Sequence, residues 1–260
     1  MGLKMKESLS KIRRKEQIIE ILIYTGKRSK KELIERLKIS PTTLEKDIKE
    51  LEEEGLVYKI WGGISLKDEF SILPFEKREI INIQEKQIIA REAVKLINPG
   101  ESIGLSAGST VYELAKQISS GSNIKVVTYG VNTAYLLISK GIEVIIPGGV
   151  YKDSTYALIG DTTIEFLRKI HLDKCFLSVN GIDLDYGLSE VDIHEAVVLS
   201  AMIDASSEVI ALMDYTKFGR RKLATVCKPE DIDLIITDNK TPQVYIEGFK
   251  ERGIKVILGK

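Results

Sequence analysis

The chain is 260 residues long, 43% hydrophobic and 29% charged, with a formal net charge of zero. That length suits two cores, and the composition excludes disordered, collagen-like and disulfide-stapled classes. No apolar run approaches membrane-spanning length, the N-terminus has no signal-peptide core, and Lys6 breaks the myristoylation pattern after Met1-Gly2, so the cytoplasm is the expected compartment and no membrane partner is expected.

The neutral total hides an asymmetry. Residues 1–64 hold 15 Lys+Arg against 11 Asp+Glu, net +4, and the remainder is net −4. A basic head on an acidic body suits a polyanion partner. The first helical pattern runs Ile12 to Tyr24, with Ile18, Ile21 and Leu22 on one face and Thr25-Gly26 as its end. Ser29 caps a second helix carrying Leu33, Ile34 and Leu37. The third helix covers residues 40–55: Ser40 caps it, Pro41 suits its first position, Leu44, Ile48 and Leu51 form its apolar stripe, and Gly55 stops it. Leu56–Trp61, Gly62-Gly63 and Ile64–Leu66 then read as a two-stranded wing.

Residues 1–66 are therefore a winged helix-turn-helix, a unit that docks on duplex DNA by the N-terminal half of its third helix. Ser40, Thr42, Thr43 and Lys46 lie there, with Lys49 one turn on. Lys59 and Trp61 on the wing, and Arg28 and Lys30 before the second helix, are candidate backbone contacts. Glu52-Glu53-Glu54 should face away from the duplex. Such units also serve as protein-binding modules.

Residues 67–99 read as a linker to Pro74 followed by a connecting helix, Glu76–Ile97, stopped by Pro99-Gly100. From residue 100 to 260 strands and helices alternate. The strands are Ile103–Leu105, Lys125–Thr128, Glu143–Ile146, Cys175–Val179, Val209–Met213, Leu234–Thr237 and Val256–Leu258. The helices are Val111–Ile118, Thr133–Ile138, Thr162–Lys169, Glu195–Ala205 and Val244–Arg252. Such alternation implies an α/β layer with a largely parallel sheet, which binds ligands outside the carboxyl ends of its strands. The two cysteines, Cys175 and Cys227, match no metal spacing, and neither a metal nor a cofactor is expected.

Polar residues gather in five loops after strands. Ser106-Ala107-Gly108-Ser109-Thr110 joins a strand to a helix, so its backbone N–H groups, hydroxyls and helix dipole suit a phosphate. Thr128-Tyr129-Gly130 and Pro147-Gly148-Gly149 follow. Asn180, Asp183, Asp192 and Glu195 offer amide and carboxylate groups suited to sugar hydroxyls. Lys217, in Asp214-Tyr215-Thr216-Lys217-Phe218-Gly219, is a point charge for phosphate. Each loop taken alone also reads as an ordinary surface turn.

SPTTLEKDIKELEEEGLVYKIWGGI, residues 40–64, resembles the head of the DeoR-type bacterial transcriptional regulators, and the order of the five loops resembles their sensor half. The resemblance covers residues 12–238. It implies a Rossmann-like α/β sensor domain of the type found in ribose-5-phosphate isomerases, glucosamine-6-phosphate deaminases and CoA transferases. It also implies that residues 106–110 are the phosphate loop, residues 180–183 and 187–189 the sugar-side loops, and residues 214–219 the loop carrying the phosphate lysine. The departures are Glu45-Lys46 for an arginine pair, Trp61 for a histidine, Ser106 for an aspartate, Tyr129-Gly130 for Asn-Ser and Leu199 for a lysine. An altered pocket is expected.

The reading is a regulator, expected to be a repressor and a homodimer or homotetramer, whose partners are a double-stranded DNA operator and a phosphorylated sugar or related metabolite. The alternative is a sugar-phosphate isomerase or deaminase with an appended winged helix, using Asp183, His194, Glu195 or Lys217 as acid and base. Leu199 removes one cation from that chemistry, and isomerisation has no use for the head. A third class is a scaffolding module whose loops bind nothing.

Overall fold

The computed structural model describes residues 11, 14, 15, 17–19, 21, 22, 27–53, 56–66 and 74–260. The helix end at Thr25-Gly26, the stop at Gly55 and linker residues 67–73 lie outside the described residues. The chain forms two compact units, Met1–Leu73 and Pro74–Lys260.

In the smaller unit the described residues between 11 and 22 are helical, with Ile18, Ile19 and Leu22 buried. Helix Lys30–Leu37 is capped by Ser29 in a reciprocal box: Glu32 N donates to the Ser29 hydroxyl at 3.2 Å and Ser29 N to the Glu32 carboxylate at 3.0 Å. Helix Pro41–Glu53 starts at its proline and buries Leu44, Ile48 and Leu51, as the periodicity requires. It also buries Asp47, which apolar spacing alone does not announce. Arg14 grips that carboxylate through two nitrogens, Nη2 at 2.8 Å and Nε on the other oxygen.

The wing has three strands where the sequence suggested two. Val57–Ile60 pairs with Gly63–Leu66 around Trp61-Gly62, and Lys27–Arg28 adds to the far side of Gly63–Leu66. A Cβ on Gly63 would stand 2.1 Å from the Arg28 carbonyl oxygen, so the third strand fits only against glycine.

In the larger unit seven strands form one sheet in the order Lys255–Leu258, Leu234–Thr237, Val209–Met213, Lys174–Leu177, Ser102–Leu105, Lys125–Thr128, Glu143–Ile145. They are the seven expected, and every neighbouring pair is parallel. Ile103, Leu105, Phe176, Ile210 and Leu212 face one apolar layer, and Cys175, Leu177, Ala211 and Met213 the other. The first layer is completed by helices Ile83–Val94, Ser109–Gln117 and Val131–Ser139. Asp161–Leu167, Ile193–Asp204 and Gln243–Glu251 complete the second. A fully buried Leu or Ile in such layers contributes about 1.5–3 kcal/mol.

The strand order reverses at one place. From Ser102–Leu105 the chain moves outward through Lys125–Thr128 to the edge strand Glu143–Ile145. It then returns to the other side of Ser102–Leu105 as Lys174–Leu177. The loops leaving those two central strands run to opposite sides, which is where sheets of this kind form a crevice, above the strands' carboxyl ends. Short antiparallel strands surround it: Val150–Lys152 with Ala157–Ile159, and Gly181–Asp183 with Gly187–Glu190 and Ala224–Cys227.

The expected single helix 76–97 is two helices, Phe75–Ile80 and Ile83–Val94. Ile81 is extended and Asn82 left-handed, with φ 53°. Asn is among the few side chains that occupy that region readily, and here its amide is held by Asp214 at 3.3 Å. Both helices belong to the larger unit, where Ile89, Ala90 and Ala93 are fully buried.

Asp47 is 1% exposed, so removing its carboxylate strands the Arg14 guanidinium beside an apolar helix face. Asp47→Ala is expected to destabilise the smaller unit by about 2 kcal/mol, less than for a fully enclosed pair because Arg14 keeps some contact with water. Hydrogen exchange of residues 30–53 along a denaturant series checks this.

Candidate functional site

Ser40, Thr42, Thr43, Lys46 and Lys49 all lie on or beside the start of helix Pro41–Glu53. Ser40 Oγ accepts from Thr43 N at 3.1 Å and meets the Thr43 hydroxyl at 2.8 Å, so this pair forms the cap. Thr42, Lys46 and Lys49 are exposed and spaced four and three, opposite the buried stripe. Among the described residues Lys46 has no ion pair, whereas Lys49 has Glu53 at 3.8 Å. Two other expected contacts are drawn to acids: Lys30 to Glu45, and Lys59 to Glu52 at 2.9 Å. Trp61 at the wing tip is fully exposed. Arg28 is half-buried in the third wing strand.

The second site is the crevice at the strand reversal. Leu105 leads into Ser106-Ala107-Gly108 and then helix Ser109–Gln117. Gly108 caps that helix without any side-chain hydrogen bond, which leaves the first-turn N–H groups for an outside acceptor. Lys174–Leu177, the other central strand, leads into Ser178, whose N–H donates to Ser106 Oγ at 3.3 Å. The Ser178 hydroxyl lies 3.5 Å from that of Thr110. Tyr129 enters from the next strand and is 2% exposed. Burial and then Glu195 and Glu190 raise its phenol pKa well above the ordinary value, with the Ala107 N–H and the Ser106 hydroxyl pulling the other way.

Charge crowds around this loop. Glu190 is buried, with Oε1 accepting from Asn180 N at 3.1 Å and Oε2 from Val191 N at 3.2 Å. Burial, reinforced by Glu195, pushes its carboxyl up to about 8, against the pull of Lys217 and Arg78. Burial also lowers Lys217, with Asp214 opposing. Although burial disfavours its charge, Asp214 is held below its usual value by Lys217 and Lys86. Lys86 is depressed by burial to about 7. Asn180 Oδ1 is buried with no hydrogen-bond partner among the described residues.

Of the expected effector residues, Ser106, Ala107, Gly108, Ser109 and Thr110 lie on the loop and helix start after Leu105, Asn180 is bonded to Glu190, and Tyr129, Glu195 and Lys217 are linked to Glu190 by charge. Others hold the walls. Thr128 Oγ1 accepts from Gly130 N at 3.1 Å. Gly148 O accepts from the Thr163 hydroxyl at 2.6 Å, and a Cβ on Gly149 would lie 2.2 Å from that same hydroxyl. Asp192 caps helix Ile193–Asp204 and pairs with Lys152 at 2.9 Å. Glu195 accepts from Lys152 at 2.7 Å and Thr155 at 3.0 Å.

Asp183 departs from its expected place at the sugar. Its Oδ1 accepts from Asp185 N and Tyr186 N and its Oδ2 pairs with Arg221 at 3.0 Å, so it holds its own hairpin turn. Leu199 is 2% exposed in the apolar layer, so a side chain there serves packing. Sequence reasoning missed Arg78, Lys86 and Glu190. Glu190 follows directly on the Gly187-Leu188-Ser189 motif, which was the one available signal. Arg78 and Lys86 looked like the charged face of an amphipathic helix.

Because the folded carboxyl of Glu190 titrates near 8 and its ordinary value is 4.5, the unfolded chain loses this proton first as pH rises. Its contribution to stability therefore declines from about pH 4.5 to about 8. Glu190→Gln is expected to flatten that part of the stability profile and to raise stability at pH 8; thermal unfolding at half-unit pH steps checks it.

Residues 14–70 match the DeoR-like helix-turn-helix domain, and residues 81–239 match the DeoR C-terminal sensor domain. The chain is 35% identical over 249 residues to the HTH-type transcriptional regulator GolR of Listeria innocua serovar 6a, covering 95% of this chain and 98% of that one. It is 30% identical over 242 residues to the glycerol-3-phosphate regulon repressor of Escherichia coli strain K12, covering 93% and 96%. Among solved structures it is similar to ribose 5-phosphate isomerase A from Methanocaldococcus jannaschii, at 17% identity and a TM-score of 0.41 over 53% and 55% of the two chains. The two domain matches and the near full-length similarity place the chain in the DeoR family: it is a DNA-binding transcriptional regulator with a helix-turn-helix head and an effector-sensing α/β domain, and not an enzyme.

Proposed function

We propose that this regulator is a cytoplasmic repressor whose effector is a phosphorylated sugar or related metabolite, bound in the crevice at the strand reversal. The observation that carries this reading is the meeting of an uncapped helix N-terminus with the Ser106 and Ser178 loops, close by Asn180, which is bonded to the buried Glu190 whose charge Lys217 feels. In this reading the first-turn N–H groups, Ser109, Thr110 and Lys217 hold the phosphate, because oriented donors and a compact cation suit a dianion. Asn180, with its unpartnered Oδ1, faces the hydroxyls. The name of the relative from Escherichia coli, a glycerol-3-phosphate regulon repressor, supports a phosphorylated metabolite as the signal.

On the DNA side Thr42, Lys46 and Lys49 enter or flank the major groove, with Ser40, Thr43, Arg28, Lys30, Lys59 and Trp61 at the backbone. The exposure of the helix face opposite Leu44, Ile48 and Leu51 supports this. A homodimer or homotetramer lets two heads read a repeated operator. The effector acts by binding the DNA-free arrangement more tightly, a coupling of typically 1–3 kcal/mol.

A thermal-shift panel of sugar phosphates tests the effector class. A ligand at 100 times its Kd should stabilise by ~2.7 kcal/mol, and the absence of any shift across phosphorylated metabolites overturns the reading. Lys217→Ala should keep operator affinity while requiring at least tenfold more effector for release, read by fluorescence anisotropy. Lys46→Ala should weaken operator binding and lower the slope of log affinity against log salt by ~1; an unchanged slope removes Lys46 from the phosphate contacts.

A further inference from the structure

The expected effector residues all lie from residue 106 onward, yet Arg78 and Lys86 come from the first two helices of the larger unit. The joint between those helices is tied on both sides. Lys86 is 4% exposed, and its ammonium donates to the carbonyl of Arg78 and to that of Ile81 at 2.6 Å. A buried ammonium is costly unless it is engaged, and here it closes the end of helix Phe75–Ile80. On the other side Asn82 Nδ2 donates to Asp214 Oδ1 at 3.3 Å. That same oxygen accepts from Thr216 N at 3.0 Å and from the Thr216 hydroxyl. Thr216 lies in the turn Tyr215–Lys217. One carboxylate oxygen thus joins the helix joint to the turn that presents Lys217.

The short helix is also fixed to the phosphate-loop helix. The Phe75 ring meets Tyr112, on Ser109–Gln117, edge-on at 5.4 Å between centroids, and lies 5.4 Å from Tyr156, whose hydroxyl donates to Glu76. Arg78 sits on this fixed helix with its guanidinium carbon 5.7 Å from the centroid of the Phe75 ring, the same ring that meets Tyr112. Burial disfavours its charge, and Glu195 and Glu190 support it. Arg78 and Lys217, from two parts of the chain, thus share the field of Glu190.

We propose that Arg78 is a direct anion ligand of the effector crevice, gripping the phosphate together with Lys217, and that Asn82 and Lys86 are the positioning residues that hold it there. The guanidinium fork suits a phosphate monoester, which offers two oxygens in one plane. The proposal rests on the placement of the effector in this crevice. Its consequence is that the element following the winged-helix unit in the chain is part of the sensing site: an arriving phosphate pulls on helix Phe75–Ile80 and on the Ile81–Asn82 joint.

Hydrogen exchange by mass spectrometry on the full chain tests this, with inorganic phosphate as the probe against chloride at matched ionic strength. In the unsubstituted chain phosphate should slow exchange in residues 106–111, 215–219 and 75–86. Arg78→Gln should abolish the slowing at 75–86 and weaken phosphate binding about tenfold, the loss expected for a charge-assisted bond. Asn82→Gly keeps the left-handed backbone and removes only the amide; it too should abolish the phosphate response at 75–86, whereas a merely structural role would alter exchange there equally with and without phosphate. Lys86→Arg should restore the response that Lys86→Met loses. Slowing at 106–111 and 215–219 with none at 75–86, or unweakened phosphate binding by Arg78→Gln, overturns this proposal and leaves the effector site standing. No slowing in any of the three segments overturns both.

Discussion

Two parallel strands that lie side by side, but whose connections run to opposite halves of a sheet, cannot both have their exits covered. That constraint acts at Ser102–Leu105 and Lys174–Leu177. The hydrophobic layers fix the two strands in register, Leu105 opposite Phe176, and so fix where Ser106 and Ser178 emerge. Neither serine needs an unusual environment to be placed. Their hydrogen bond at 3.3 Å follows from the register, and the uncapped helix start follows from the glycine that must turn between strand and helix. The proposed sensing site would thus be a by-product of topology, furnished with chemistry by a few side chains.

Those side chains are unusual for their burial. Lys86, Glu190, Glu195 and Asp214 are each under 9% exposed, in a domain that also buries Glu85, Glu113 and Asp238. Enclosed charge stabilises a fold poorly, since desolvation offsets the Coulomb gain. A set of this size is better explained by what must enter. In the proposed site, an anion beside Lys217 and Arg78 would shift the balance among groups already poised near neutrality, Glu190 at about 8 and Lys86 at about 7. Such groups respond to a nearby dianion by changing protonation and contacts, where a strongly acidic or basic side chain stays fixed.

The α/β architecture was legible because its signal is redundant. Each central strand is a short β-branched or apolar run, and each intervening helix has its own periodicity, so all seven strands could be read although the helices begin up to two residues earlier than expected. The short antiparallel strands were not legible. Gly181–Asp183 and Gly187–Glu190 contain Gly and Asp, which read as turn residues, and their pairing is set by contacts far along the chain. The break at Ile81-Asn82 was hidden by isoleucines whose spacing continues a helix through it. The third wing strand is two residues long and left one trace, a glycine where a backbone passes at contact distance. Within the site the backbone donors were legible, being tied to a loop between strand and helix. Arg78, Lys86 and Glu190 were not, because a lone charge carries no sign of whether it faces water or a crevice. Asp183 shows the converse error: an aspartate after a strand was read as a ligand, while its two oxygens are used by its own turn and by Arg221.

The same distinction governs the head, where net charge overstates what DNA can meet. Lys30 and Lys59 are each turned toward a glutamate of the recognition helix, and Arg14 is committed to Asp47. An exposed pair of this kind contributes little to stability, ~0.2–1 kcal/mol, and it is readily exchanged for a phosphate partner. As proposed DNA contacts the two lysines would therefore be conditional, available once a duplex competes for them. Arg14 differs, because its carboxylate is buried and its loss would cost the fold. Lys46, exposed and without an ion pair among the described residues, must give up no partner to reach a phosphate. Affinity for the polyanion is then set less by the excess of four positive charges in residues 1–64 than by how many are free to move. The glutamates at 45 and 52 also hold the wing and the second helix against the recognition helix before DNA arrives. Intramolecular pairing thus pre-organises the three elements proposed to contact one groove and its flanking backbone, and in that proposal the duplex would replace those pairs with its own phosphates as it binds.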